Sequence, residues 1–191
     1  MSMILYGSYP SPYVRRIRML LENMDYRFEA VDVYSDAGRQ AYTSVTPIKK
    51  LPVLVDDGAT VFDSHVICEY LRRKQNMPET SIDQLNLVSA IDSVNDSLVL
   101  LFMAGKSGLD VNEDTLIFKL QRERIPDSLN WLNTQAEQGG FSEWHIGTIA
   151  LIALLDWAEF RELYDFSAYP ALVNARAAYQ ARTVVTETYP Q

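Results

Sequence analysis

The sequence predicts an α/β domain followed by an all-α domain, and three observations carry that division. Up to about residue 77 the chain reads as strand, helix, strand, then a hairpin and a closing helix, a βαβ-ββα order. From residue 82 onward every apolar stripe has the helical period. Between the two, Gln75 to Thr80 with Pro78 is the one linker-like stretch. The expected domains are therefore 1–77 and 82–191, and 191 residues are enough for two small cores. No internal repeat or low-complexity segment interrupts this order.

Met3 to Tyr6 is a short apolar strand, and Gly7 to Pro10 is a loop of turn formers. Ser11 suits a helix N-cap and Pro12 a first helical position; Val14, Ile17, Leu20 and Leu21 then recur at helical spacing to about Asn23. Tyr26 to Val33, with Phe28, Ala30, Val31 and Val33, reads as a second strand, parallel to the first through a right-handed crossover. Ser35 to Val45 is polar and weakly patterned, a short helix or an irregular turn. Leu51 to Val55, an Asp56-Asp57-Gly58 turn and Thr60 to Phe62 form an antiparallel hairpin, because Asp-Gly supplies the positive φ of a tight turn. Ser64 to about Asn76 is helical, with Val66, Ile67, Tyr70 and Leu71 on one face.

In the second domain, Ile82 to Ala104 carries Leu85, Val88, Ile91, Val94, Leu98 and Leu101 in a long stripe ended by Gly105 and Gly108. Asn112 to about Gln138 keeps the helical period, but Pro126 is expected to kink or restart it, and Gly139-Gly140 stops it. Ile146 to Trp157 is apolar nearly all round and is expected to be the central buried helix. A last helix runs from Pro170 to about Arg182.

Composition excludes several functions. With 25 acidic against 17 basic residues the net charge is -8, which argues against a phosphate backbone as partner, so no nucleic acid is expected. A lone cysteine, Cys68, rules out an internal disulfide, and two histidines, His65 and His145, leave too few ligands for a zinc site; no metal is expected. The N-terminus lacks a charged and apolar leader, and no stretch is read as approaching the roughly 20 apolar residues of a membrane span. The expectation is a soluble protein of the reducing cytoplasm, without membrane association.

The stretch Pro47 to Val55, followed by Phe62-Asp63-Ser64, shows most plainly what the chain binds. Pro52 stands at the start of a strand and has no N–H for a ladder. With a cis Leu51-Pro52 bond the strand begins on a sharp corner, leaving the Leu51 amide and carbonyl to pair with an extended ligand as another strand would. Asp63 and Ser64 open the next helix, whose first amides, with the Ser64 hydroxyl and the Asp63 carboxylate, suit the amino and carboxylate groups of an amino acid. Ser11 is the candidate for chemistry: a hydroxyl at a helix N-terminus can point at a ligand sulfur, and the nearby amides favour thiolate over thiol. Taken alone, a serine there is more often a plain N-cap. Cys68 is expected to be a small core side chain and His65 a surface residue beside the cap.

These residues, with Ser11-Pro-Tyr-Val-Arg-Arg-Ile-Arg18, resemble the glutathione transferase family over the whole chain, the specific motifs lying in the first eighty or so residues. The resemblance implies a thioredoxin-like N-terminal domain that holds glutathione as co-substrate, and an all-helical domain that contributes the pocket for a small electrophile. It implies that Leu51, Pro52, Asp63 and Ser64 bind glutathione, with Lys50 and Arg39 as lesser candidates for its carboxylates, and that Ser11 is catalytic. The activating tyrosine of tyrosine-type members falls at Gly7, so that type is excluded, and serine in place of cysteine favours conjugation over thiol exchange. The family pairs such chains as homodimers. Alternatives within the resemblance are a binding or regulatory protein without turnover and a glutathione-dependent isomerase of an unsaturated diacid. One departure stands out: the Ser or Thr cap of the family's central helix and the aspartate three residues on are replaced by His145 and Thr148, a degraded capping box.

Overall fold

A computed structural model of the chain describes residues 3–191, apart from the side chains of Arg39 and Ala41. The chain divides into two compact units, Met1–Glu79 with Ala181–Gln191, and Thr80–Gln180. The first holds a four-stranded mixed sheet flanked by helices; the second is all helical, as the periodicity predicts.

In the first unit the elements are β1 (Met3–Gly7), α1 (Pro12–Leu20), β2 (Tyr26–Ala30), α2 (Asp36–Thr43), β3 (Val53–Asp56), β4 (Ala59–Val61) and α3 (Ser64–Lys74). Sheet order is β2-β1-β3-β4, with β1 parallel to β2, β3 antiparallel to β1, and β4 antiparallel to β3. Leu5 and Leu54 from the sheet pack with Ile17 and Leu21 from α1 and its end, and with Ile67 and Leu71 from α3. Cys68 lies at the edge of this core, partly buried.

Several boundaries differ from the sequence expectation for identifiable reasons. The first helix stops at Leu20 rather than near Asn23, whose φ of 66° is left-handed. β2 stops at Ala30 rather than Val33, because the Asp32 carboxylate accepts from the Tyr34 amide at 3.0 Å and turns the chain. The polar stretch after it is a helix, α2, capped by Ser35, which accepts from the Gly38 amide at 3.0 Å. β3 starts at Val53, after the proline that has no N–H. Asp57 (φ 48°) and Gly58 (φ 82°) make the two-residue hairpin turn foreseen from Asp-Gly.

The second unit contains α4 (Ile82–Lys106), α5 (Leu116–Glu137), α6 (Ile146–Phe160) and α7 (Pro170–Ala177). α4 opens on a capping box in which the Ser81 hydroxyl accepts from the Gln84 amide and the Gln84 side chain accepts from the Ser81 amide. Gly105 lies inside α4 and only Gly108, at φ 83°, marks its end. Pro126 sits within an unbroken α5, so no restart occurs there. α6 is the buried centre: Ala150, Leu151, Leu154 and Leu155 pack against Leu87, Ile91 and Val94 of α4 and Leu129 and Leu132 of α5.

α4 is long and apolar enough to cross a membrane by length and composition, which corrects the expectation that no segment is. Of its most apolar window 44% is buried inside the protein, and Leu87, Ile91, Val94 and Leu98 of this helix join the helical core. The helix expected to run from Pro170 to Arg182 is two: α7 ends at Ala177, and a short α8 (Thr183–Glu187) belongs to the first unit. Residues 181–191, expected in the helical domain, thus pack with the α/β unit.

Candidate functional site

Strand register alone gathers the candidate residues. Tyr6 pairs with Val53, so the loop that follows β1 lies beside the start of β3. Leu54 pairs with Val61, which brings the end of β4 to the same edge. Ser11, Leu51-Pro52 and Asp63-Ser64 therefore all leave one end of the sheet, while the Asp57-Gly58 turn closes the opposite end. Helices α1 and α3 both begin there, each directing its first amides and the positive end of its dipole toward that edge.

The Leu51-Pro52 bond is cis, as is Phe62-Asp63. Pro52 is buried and Leu51 half-buried. Ser11 is extended (φ -74°, ψ 124°) and its Oγ accepts from the Val14 amide at 3.3 Å. A hydroxyl keeps one O–H to donate while its oxygen accepts, so capping α1 and donating to a ligand are compatible. Asp63 caps α3: one carboxylate oxygen accepts from the His65 amide at 3.0 Å, and the exposed side chain retains further acceptor sites. Ser64 is 4% exposed at the first helical position, and His65 is exposed. Lys49 and Lys50 are exposed in the loop before Leu51, Lys49 with φ 52°. The side chain of Arg39, on α2, lies outside the described residues.

Gly7 shows why no larger residue stands at the end of β1. A Cβ there would lie 2.3 Å from Val14 Cγ1 and 3.1 Å from the Phe28 ring, so strand and helix meet too closely for a side chain. Next to it Tyr9 packs on Phe28 with ring centres 5.0 Å apart, and the Arg18 guanidinium lies 4.9 Å from the Phe28 ring and 5.4 Å from that of Tyr9. The loop carrying Ser11 is thereby tied to β2 and to the far turn of α1.

Sequence reasoning missed the arginines of α1. Arg15 and Arg16 are 1% and 0% exposed, although helical spacing reads them as a polar face. Arg16 stacks on Tyr13 at 5.4 Å. Arg15 donates from Nη2 to the Val185 carbonyl at 3.1 Å and from Nε to Thr188 Oγ1 at 3.4 Å. The available signal was that neither has an acidic residue three or four positions away in the chain.

At the opposite end of the sheet Asp56, 3% exposed, accepts from Tyr70 at 2.8 Å and is paired with Lys74. Burial pushes its carboxyl up, but the bonds from Lys74 and Tyr70 outweigh that and hold it below the usual aspartate value. In the helical unit, His145 supplies the cap that the sequence was expected to lack. Its Nδ1 accepts from the Gly147 amide at 3.0 Å and the Thr148 amide at 3.3 Å, while Thr148 Oγ1 donates to the Glu143 carbonyl at 2.6 Å. Nε2 lies 3.0 Å from the Gly140 carbonyl, which fixes the proton on Nε2. Among the described residues no group of three or more His, Cys, Asp or Glu is placed to hold a metal ion.

Residues 5–79 match the family described as glutathione S-transferase, N-terminal domain. The chain is 28% identical over 172 residues, 84% of each chain, to the uncharacterized GST-like protein YibF of Escherichia coli (strain K12). It is 23% identical to a probable maleylacetoacetate isomerase of Vibrio cholerae serotype O1, over 100% of this chain and 97% of that one. Among solved structures, a glutathione S-transferase of Methylobacillus flagellatus KT with GSH bound superposes with a TM-score of 0.85, and a glutathione transferase family member of Pseudomonas fluorescens Pf-5 with bound glutathione with 0.86. Each is 24% identical and covers 100% of both chains.

Proposed function

We propose, from the match of residues 5–79 to the N-terminal domain of the glutathione S-transferase family, that the chain is a glutathione transferase and adds the thiolate of glutathione to a small electrophile. The observation that carries this reading is the register that brings Ser11, Leu51-Pro52 and Asp63-Ser64 to one end of the sheet, where two helices begin. The Leu51 amide and carbonyl pair with the backbone of the tripeptide. The Asp63 carboxylate takes its ammonium group, and the Ser64 hydroxyl with the first amides of α3 takes the adjoining carboxylate. Lys50 and Arg39 are lesser candidates for the remaining carboxylate. Ser11 donates its O–H to the sulfur. A free thiol titrates near about 8.5, so a modest fall makes it a nucleophile at neutral pH. Catalysis then consists of a lowered thiol pKa and of positioning, with glutathione as co-substrate and no metal in any step.

Isothermal titration with glutathione, followed by turnover measurements on a panel of aryl halides, epoxides and unsaturated acids, tests the proposal. Saturable binding with thioether formation on an electrophile is expected; absence of binding overturns it. A second reading, glutathione-dependent isomerisation of an unsaturated diacid, is favoured by the maleylacetoacetate isomerase relatives, and isomerisation of the diacid without a stable adduct would select it. Binding without turnover on any member of the panel would select a regulatory or binding role.

The proposed enzyme works in the cytoplasm as a homodimer. Exposed apolar side chains on α3 (Val66, 52%) and on α4 (Ile82, 70%; Leu85, 47%; Met103, 45%) exceed what the cores use. Light scattering at micromolar concentration that returns only the monomer mass would refute the dimer.

A further inference from the structure

Arg15 presents an energetic problem that segment 181–191 resolves. It lies in the first turn of α1, where a cation opposes the helix dipole, and it is 1% exposed, where a guanidinium must find acceptors for its donors. Two of those acceptors come from the far end of the sequence. Nη2 donates to the carbonyl of Val185, in the last turn of α8, where a cation is favoured; Nε donates to Thr188 Oγ1. Thr188 is itself fixed, because its hydroxyl donates to the Val184 carbonyl at 2.6 Å. The guanidinium also lies 5.6 Å from the centre of the Tyr189 ring. Just beyond the other end of α1, Arg182 grips Glu22, with Nε 3.1 Å from Oε2 and Nη2 2.5 Å from the same oxygen. Segment 181–191 thus holds α1 at both ends.

The Arg15 amide donates to the Ser11 carbonyl at 2.9 Å, in the turn that Ser11 caps. Whatever immobilises Arg15 therefore immobilises the hydroxyl and the first amides of α1. We propose that segment 182–189 is a clasp that holds the first turn of α1 in place through Arg15, making Arg15, Thr188 and Arg182 positioning residues for Ser11. The inference rests on the reaction proposed above for its catalytic meaning. Its structural half stands independently: a first turn with no clasp frays as helix ends do, and a donor that must meet a developing thiolate loses its preorganisation.

The test approaches the clasp from both sides in the full chain. Arg15→Met keeps the volume and removes the donors; Thr188→Val with Arg182→Gln leaves α1 untouched and removes its anchors. Amide hydrogen exchange at Val14 to Arg18 is expected to quicken severalfold in both variants while β1 is unchanged. The titration midpoint of the bound glutathione thiol is expected to rise in the direction seen for Ser11→Ala. Should Arg15→Met fail to fold, the Thr188 and Arg182 variant decides. Unchanged exchange in α1 overturns the clasp, and faster exchange with an unmoved thiol midpoint overturns its positioning role. Should the unaltered protein not bind glutathione, the proposed reaction falls, and the exchange comparison alone upholds or overturns the clasp.

Discussion

Replacing His145 by alanine removes the side-chain acceptor of the first amides of α6, those of Gly147 and Thr148. Loss of an N-cap costs about 0.5–2 kcal/mol. For a chain of 150–250 residues each kcal/mol moves Tm by about 2–4 °C, so a fall of about 1–8 °C is expected in a thermal melt at pH 7.5. The cap should also fail on acidification, since Nδ1 can accept only while it is unprotonated. Burial pushes the imidazole below its ordinary value of 6.5, with the Gly140 carbonyl and the Glu143 carboxylate opposing the shift. The unfolded chain therefore takes up the proton first as pH falls. The stabilisation is complete above about 6.5 and declines as pH drops from there toward the lower folded value. His145→Asn provides an amide cap that does not titrate, and urea melts of both proteins from pH 8 to 5 isolate the imidazole from every other group. A stability difference between them that stays constant across that range would refute this account of the cap.

Three further outcomes follow from the first unit. Asp56→Asn should lower stability at neutral pH and flatten its acid limb: the depressed carboxyl stabilises the fold above the unfolded value of 3.8, and that contribution is lost as pH falls through the folded one. Urea melts at pH 7 and pH 3 check it, and equal losses at both would show that the Lys74 and Tyr70 bonds do not depend on charge. Asp63→Asn should raise the KM for glutathione more than it lowers kcat, because a pair with a distant ammonium acts alike in ground and transition states; an unchanged KM removes Asp63 from the site. Ser11→Ala should spare most affinity while raising the bound-thiol midpoint by about one to two pH units, the worth of a charge-assisted hydrogen bond of about 1.5–3 kcal/mol. Thiolate absorbance against pH reads it, and an identical midpoint makes Ser11 a cap alone.

Where a signal was local, the chain could be read directly. Ser11-Pro12 and Asp63-Ser64 announce helix starts because a side-chain acceptor and a fixed φ act within one turn. Asp57-Gly58 announces a hairpin because few other pairs accept two positive φ angles. The misplaced ends also have local causes, but ones carried by single residues that periodicity ignores: Asn23 in the left-handed region, the Asp32 carboxylate folding over the Tyr34 amide. The break between α7 and α8 is different. No glycine or proline lies between Ala178 and Arg182, and what sets the second piece apart is its packing on α1, some 170 residues away in sequence. The cap of α6 escapes the sequence pattern for a chemical reason: the acceptor is neither a hydroxyl nor a carboxylate but an imidazole nitrogen held in its accepting tautomer.

The same division between local and distant runs through the candidate site. Each proposed ligand group was legible because it belongs to a turn or a helix start with its own signature, whereas their convergence depends on Tyr6 facing Val53 and Leu54 facing Val61, a register that no single segment specifies. Support for the site was hidden further, because an arginine counts as polar in any helical pattern whether it meets water or a carbonyl. By spacing Arg15 and Arg16 belong to the polar side of α1, yet both are buried, and burial of a guanidinium is tolerable only where other groups bring acceptors or rings to it. A variant of α1 designed by hydrophobic pattern alone would keep Val14, Ile17 and Leu20 and treat Arg15 as free to change. The expected result is a helix that still folds against the sheet and a first turn that no longer holds the Ser11 hydroxyl in place for the role proposed for it.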